Sequence, residues 1–265
     1  MDVVPILNKW VLTKKQDKKG NVVKYKAQLV ARGFTQWLGL DYDKTFSPIM
    51  HFKTIQALLV IVSCKKLKVY QLDVKGAYLN GILTQPIYIE QPIGFDDDSR
   101  LVCLLIKSIY GLKQAGWVWN VEFDCAICKL SFQLLISDLC TYILCEGNDF
   151  VIMTVWVDDL LLFVTLNHLI EHTQVGLEAE WELTDLGEPV KIVGIEIKLG
   201  DHFVMISQHQ YLESILWKEG MEKANLIGVV DAVRDIKHYK FQVESPTSKP
   251  CDKTSTWFWE TRGTC

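Results

Sequence analysis

Two adjacent aspartates, Asp158 and Asp159, interrupt the apolar run VIMTVWVDDLLLFVTL at residues 151–166. Burying even one unpaired carboxylate costs several kcal/mol or forces it to take up a proton. The pair is therefore either the solvated tip of a β-hairpin or is held by something cationic. Aspartate favours turns, and two strand-forming runs about a two-residue connection read as a hairpin. Yet Asp-Asp brings no Gly or Asn to supply a positive φ, so on this segment alone the turn and the metal site stand level. A third carboxylate, Asp73, closes the short apolar segment at residues 69–72. A lone Asp at a strand end is ordinarily a cap or turn residue. Beside the hairpin it would complete three carboxylates at neighbouring strand positions, enough to hold two divalent cations. Two such ions, about 3.5–4 Å apart, activate an attacking hydroxyl and stabilise a leaving oxygen in phosphoryl transfer. Hard oxygen ligands of this kind suit magnesium.

The elements that would position these residues follow from hydrophobic periodicity. WVLTKK and VVKYKAQLVA alternate as strands about the turn at residues 17–21, giving a basic hairpin with Tyr25 and Phe34 available to pack or stack. In residues 51–68, Ile55, Leu58, Leu59 and Val62 recur at helical spacing, with lysines toward the C-terminal end. A short strand ending near Asp73 follows, then a strand and a Pro/Gly loop over residues 86–95, with an acidic turn at Asp96-Asp97-Asp98. An apolar element over 101–116 breaks at Gly111. Residues 117–135 read as a helix presenting Trp117, Val121, Ile127 and Leu130, and LCTYILCE as the strand leading into the Asp-Asp hairpin. Beyond the hairpin come a helix with Leu169, His172, Leu177 and Trp181 as packing candidates, two strands about Gly200-Asp201, and a helix over QYLESILWKEGM. Residues 229–265 show no steady period. Strands with helices on one face form an α+β layer.

Composition is that of an ordinary globular chain, 49 % apolar and 23 % charged over 265 residues. No apolar run is long enough to cross a membrane, and the first ten residues lack the pattern of a signal peptide. The net charge of −4 conceals an asymmetry. Residues 1–80 carry fourteen Lys/Arg against five Asp/Glu, the remainder fourteen against twenty-seven. One part suits a polyanion and the other gathers carboxylates. Eight cysteines are scattered through apolar segments. Cys125 and Cys128 have a zinc-like spacing, but no second pair or His cluster completes four ligands, so the cysteines read as small hydrophobes in a reducing compartment.

The ordered stretches NKWVLTKKQDKKGNVVKYKAQLVARGFTQ, LDYDKTFSPI, QLDVKGAYLNGIL, IYIEQPIGF, SIYGLKQAG, VWVDDLLLF, DLGEPVKIVGIEI and SQHQYLESIL resemble the reverse transcriptase of copia-type retrotransposons over residues 8–225. The resemblance implies a right-hand polymerase fold of α+β class, with fingers, an antiparallel palm sheet packed by helices, and an incomplete thumb. It divides the chain into fingers (1–54 and 82–112), palm (55–81 and 113–205, with the Asp-Asp hairpin) and the start of a thumb or connection (206–228). Residues 229–265 are left unassigned, and the chain is expected to be a fragment of a longer polyprotein. The implied activity is RNA-directed DNA synthesis from deoxynucleoside triphosphates on an RNA or DNA template–primer, with no membrane partner. Asp73, Asp158 and Asp159 match the catalytic aspartates, and with Val74 they would surround two magnesium ions, manganese being the alternative. Lys24, Lys26, Tyr78 and Gln114 match positions that face the incoming nucleotide. Lys14, Lys15 and Arg32 would touch the nucleic acid. The chain departs from the family pattern at Gln28 and Trp117, where arginine is usual, at Thr84-Gln85-Pro86, where acidic residues are common, and at Trp156, where tyrosine is commoner. Two readings follow: a polymerase domain, or a nucleic-acid-binding remnant of a decayed element that no longer performs synthesis.

Overall fold

The computed structural model describes residues 4–16, 20–97, 99–200, 203–221 and 239–240. The turn expected at residues 17–21 therefore lies partly outside the described residues, as do Asp98, Asp201 and most of the segment 229–265. Along the chain run strands β1 (Asn8–Gln16) and β2 (Val22–Ala31), helix α1 (Phe52–Lys65), and strands β3 (Lys68–Val74), β4 (Ile82–Ile89) and β5 (Cys103–Lys107). Helix α2 (Ala115–Lys129) precedes β6 (Gln133–Leu134), β7 (Thr141–Glu146), β8 (Asp149–Trp156) and β9 (Asp159–Val164). Helix α3 (Asn167–Glu180) is followed by β10 (Leu183–Gly187), β11 (Lys191–Ile192), β12 (Ile195–Gly200) and β13 (Phe203–Ser207), then α4 (His209–Lys218) and β14 (Tyr239–Lys240). The expected mixture of helices with antiparallel sheets is present. Among the described residues, no helix is long and apolar enough to cross a membrane.

The chain forms two compact units: Met1–Pro48 with Val74–Ser131 and Glu180–Glu182, and Ile49–Asp73 with Phe132–Ala179 and Leu183–Cys265. In the first unit the hairpins β1–β2 and β4–β5 are both antiparallel. Ile6, Ala31, Ile87, Ile89, Leu112 and Ala115 form a buried cluster there. Two glycines allow its backbones to meet. A Cβ on Gly111, whose φ is +90°, would stand 2.1 Å from the Ala31 carbonyl oxygen, and one on Gly33 2.1 Å from the Gly111 carbonyl oxygen. Contact at that distance is impossible for any side chain, so this junction requires glycine.

Helix α2 exists as expected and buries Ile127 as expected, but the rest of its inward face differs. Val118, Trp119, Phe123, Ala126 and Ile127 are buried, while Val121 is 48 % exposed. The cause is aromatic: Phe123 stacks on Trp181 with ring centroids 5.3 Å apart, and Trp119 meets the same ring edge-on at 5.1 Å. Apolar residues lie on several sides of this helix, so its period alone did not select the face.

The second unit holds a six-stranded sheet in the order β10-β3-β9-β8-β7-β6. All five residues of β9 after Asp159 are buried, which is the pattern of a strand covered on both faces. Helix α1 buries Ile55, Leu58, Leu59 and Val62, as the periodicity predicts. Its first turn is fastened by the buried Asp138, whose carboxylate accepts from the His51 amide at 3.0 Å and the Thr54 hydroxyl at 2.5 Å. On α3, Leu169 and Leu177 are buried as expected; His172 is exposed, and Ile170 and Thr173 lie inside instead. A second sheet runs β11-β12-β13-β14. Helix α4 is amphipathic, yet none of its residues is buried.

Candidate active site

The hairpin β8–β9 turns one residue earlier than the apolar pattern suggests. Trp156 pairs with Asp159, so the two connecting residues are Val157 and Asp158. Val157 itself supplies the positive φ, at +55°. Glycine is the usual occupant of such a turn position, and a β-branched residue there stores strain of about 1–3 kcal/mol. The consequence is chemical. Asp159 becomes the first residue of β9 and stands directly opposite Asp73 on β3. Residues facing each other across an antiparallel pair have Cβ atoms about 4.5–5.5 Å apart on one face of the sheet, and like charges there repel. Asp158 lies in the adjoining turn. Asp73, Asp158 and Asp159 are each partly exposed, so solvent reaches all three.

One neighbour was not anticipated from the sequence. Gln71, nearly buried and two residues before Asp73 on the same strand face, donates its amide N–H to Asp159 Oδ1 at 3.1 Å. The period-2 alternation of β3 is the signal that could have found it. Val74 is fully buried, so only its main chain is available to an ion. The donor set, three carboxylates at one end of β3 and β9, has the chemistry to hold a hard divalent cation. Among the described residues, however, no three Asp, Glu, His or Cys side chains converge as a ready-made metal cluster. The register brings the acids into one neighbourhood without closing them into a cage.

The remaining candidates belong to the first unit. Pairing across β1–β2 sets Lys15 opposite Lys24 and Thr13 opposite Lys26. Lys9, Lys15, Lys24 and Lys26 therefore share one face, and Lys14 lies on the other with Trp10, Leu12 and Tyr25. The facing pair Lys15–Lys24 is a second site of like-charge repulsion. Arg32 is exposed and precedes the 3₁₀ turn Gly33–Thr35. Tyr78 sits in the 3₁₀ turn Ala77–Asn80, packs on the buried cluster, and meets the Tyr110 ring at 4.8 Å.

Gln114 is buried, and both ends of its amide are engaged. Oε1 accepts from Gln36 Nε2 and Nε2 donates to the Asp41 carbonyl, each at 2.9 Å. Gln36 also accepts from the Lys113 amide at 2.7 Å. Gln36 is thus a positioning residue, and nothing in its local pattern marked it.

Asp97 and Cys140 have strongly displaced titration. Hydrogen bonds from Ser99 and Gln91 hold the Asp97 carboxyl down at about 2, in the exposed acidic turn expected there. Burial, reinforced by the charge of Asp138, pushes the Cys140 thiol up to about 12. The described cysteines are all free thiols; Cys125 and Cys128 are exposed.

Comparison with known proteins places these features in context. The sequence model of the family described as "Reverse transcriptase (RNA-dependent DNA polymerase)" matches residues 1–230. The chain is 36 % identical over 225 residues to the retrovirus-related Pol polyprotein from transposon TNT 1-94 of Nicotiana tabacum, covering 83 % of this chain and 17 % of that protein. It is 36 % identical over 215 residues to the corresponding polyprotein from transposon RE2 of Arabidopsis thaliana, covering 80 % and 15 %. Similarity extends to the Ty1-DR1 Gag-Pol polyprotein of Saccharomyces cerevisiae, 27 % identical over 208 residues, covering 76 % and 11 %. The chain therefore spans less than a fifth of the length of these relatives.

Proposed function

The chain belongs to the reverse transcriptase family, as the domain found in copia-type retrotransposon polyproteins, and from that premise we propose that it extends a primer on an RNA or DNA template. In this reading residues 1–54 and 82–112 are fingers, 55–81 and 113–205 are palm, and 206–228 begin a thumb. The observation that carries the proposal is the facing of Asp73 and Asp159 across β3 and β9, with Asp158 in the adjoining turn.

The reaction joins the primer 3′-hydroxyl to the α-phosphate of a deoxynucleoside triphosphate and releases pyrophosphate. Such transfer depends on positioning and charge stabilisation more than on covalent chemistry by the protein. Asp73, Asp158 and Asp159, with the Val74 main chain, would hold two magnesium or manganese ions, whose charge favours the deprotonated hydroxyl and the leaving oxygen. Gln71 fixes the orientation of Asp159 through its hydrogen bond. Lys24 and Lys26 balance triphosphate charge, and Lys14, Lys15 and Arg32 contact the nucleic-acid backbone. Tyr78 bounds the sugar of the incoming nucleotide. Gln114 borders the same nucleotide while holding residues 36–41 through Gln36 and the Asp41 carbonyl.

Primer extension on an RNA template with magnesium or manganese tests this assignment. Synthesis that Asp158→Asn abolishes supports it; synthesis that survives the substitution refutes it. The second reading, binding without synthesis, is favoured by the internal engagement of both ends of the Gln114 amide. Salt-dependent binding of a primer–template with no extension in either metal would establish that reading.

A further inference from the structure

Cys125 and Cys128 do not serve as core. Both lie toward the C-terminal end of α2 and both are exposed thiols, while Ala126 and Ile127 between them are buried. Residues three apart on a helix have Cβ atoms about 5–6 Å apart on one face. That spacing is too wide for a disulfide, whose Cβ atoms stand about 3.5–4.5 Å apart. It fits a shared metal ion. Zinc-bound thiolates sit about 2.3 Å from the ion at tetrahedral angles, which sets two sulfur atoms about 3.8 Å apart. Each Sγ lies one bond from its Cβ, so two side chains leaning together span the difference without unwinding the helix.

One chain supplies only half of such a site. Among the described residues, no third Asp, Glu, His or Cys joins the pair, and structural zinc takes four ligands. A second copy can present its own pair to the same ion about a two-fold axis, because both cysteines face solvent. Opposite edges of a tetrahedron are perpendicular, so the two α2 helices would cross near a right angle. Contact between the copies is then confined to about a turn on either side of the ion, where Val121 is 48 % exposed and Lys129 is exposed. So small a contact does not hold two chains together unaided, which makes pairing depend on the ion. Four thiols release four protons on binding and leave a dianionic centre. Lys129 lies four residues after Cys125 on the same helix face, and the ammoniums of the two copies offset that charge.

We propose that Cys125 and Cys128 form half of a soft-metal site, completed by the same pair from a second copy, with one zinc ion bridging two α2 helices through four thiolates. Titration of the reduced, metal-free full chain with cobalt(II), a tetrahedral stand-in for zinc, tests it. The thiolate-to-metal charge-transfer band is followed, because ions held by the carboxylates of Asp73, Asp158 and Asp159 do not contribute to it. The band saturates at half an equivalent of cobalt per chain, and the mass in sedimentation velocity doubles over the same range. Zinc then removes the band and keeps the doubled mass. Cys125→Ser and Cys128→Ser each abolish the doubling, with far-ultraviolet circular dichroism matching the unaltered chain. The combined variant Cys64→Ser, Cys145→Ser, Cys251→Ser, Cys265→Ser retains both band and doubling.

Saturation at one equivalent with no change of mass overturns the inference, by showing that solvent completes the site. Doubling in the absence of metal, or doubling that survives Cys125→Ser or Cys128→Ser, overturns it as well. So does the lack of any thiolate band in the unaltered reduced chain, a result on the native sequence that no folding defect of a variant can mimic.

Discussion

Asp159→Asn is expected to make the fold more stable while ending synthesis. Asp73 and Asp159 face each other across β3 and β9, with Cβ atoms about 5 Å apart by the spacing of such pairs. Two unit charges at that distance repel by about 0.8 kcal/mol at the dielectric of water and about 3 kcal/mol at an effective dielectric of 20. Both residues are only partly buried, so about 1–2 kcal/mol is the appropriate range. Asparagine keeps the carbonyl oxygen that accepts from Gln71 at 3.1 Å in the aspartate. The substitution thus removes the repulsion without removing the hydrogen bond. For a chain of this length that gain corresponds to a rise in melting temperature of roughly 2–8 °C. The assay is thermal unfolding with and without magnesium, alongside primer extension. The unaltered chain should gain stability as magnesium rises, because an ion that binds only the folded state stabilises it. Asp159→Asn should start higher and respond less. If it melts lower in the absence of magnesium, the two carboxylates do not repel across the strands and the register argument is wrong.

Three further outcomes follow from the geometry. Gly111→Ala should lose roughly 3 kcal/mol or fail to fold, because a Cβ there meets the Ala31 carbonyl oxygen at 2.1 Å and the φ is +90°; chemical denaturation measures it. Val157→Gly should gain about 1 kcal/mol, since releasing the strain at φ +55° outweighs the larger backbone entropy of glycine; denaturation again reads the change. Cys140, with its thiol raised to about 12 from 9.0, contributes stability that is whole below pH 9 and is lost as pH rises from 9 towards 12. Iodoacetamide at pH 8 followed by peptide mapping should therefore label the exposed Cys64, Cys125, Cys128 and Cys145 but leave Cys140 unmodified until denaturant is added.

Much of the element order was legible because local pattern and tertiary demand agree. The lysine-rich hairpin, α1 with its buried face and the strand carrying Asp73 form where periodicity puts them, and the strand pair about the aspartates does so with its turn one residue earlier. The inward face of α2 was not legible, because it is chosen by stacking on Trp181, more than fifty residues away in sequence. Gln36 and Gln71 were missed for a similar reason. The loop residue Gln36 gives no local sign and the alternation of β3 marks only the face on which Gln71 lies; each role exists only once a distant partner, Gln114 or Asp159, is brought to it.

The hairpin shows where sequence reasoning fails informatively. Neither Val-Asp nor Asp-Asp is a good turn pair, so composition could not place the turn to within one residue. The pairing of β9 with β3 and β8 places it, and thereby puts the strain on Val157 and faces Asp159 with Asp73. Both consequences are unfavourable to the fold, and they lie within a few residues of each other. A turn selected only for stability would place glycine at position 157 and a neutral residue at 73 or 159. Two costs kept together at one strand end fit the proposed function, in which a divalent cation would turn the facing carboxylates from a liability into a donor set.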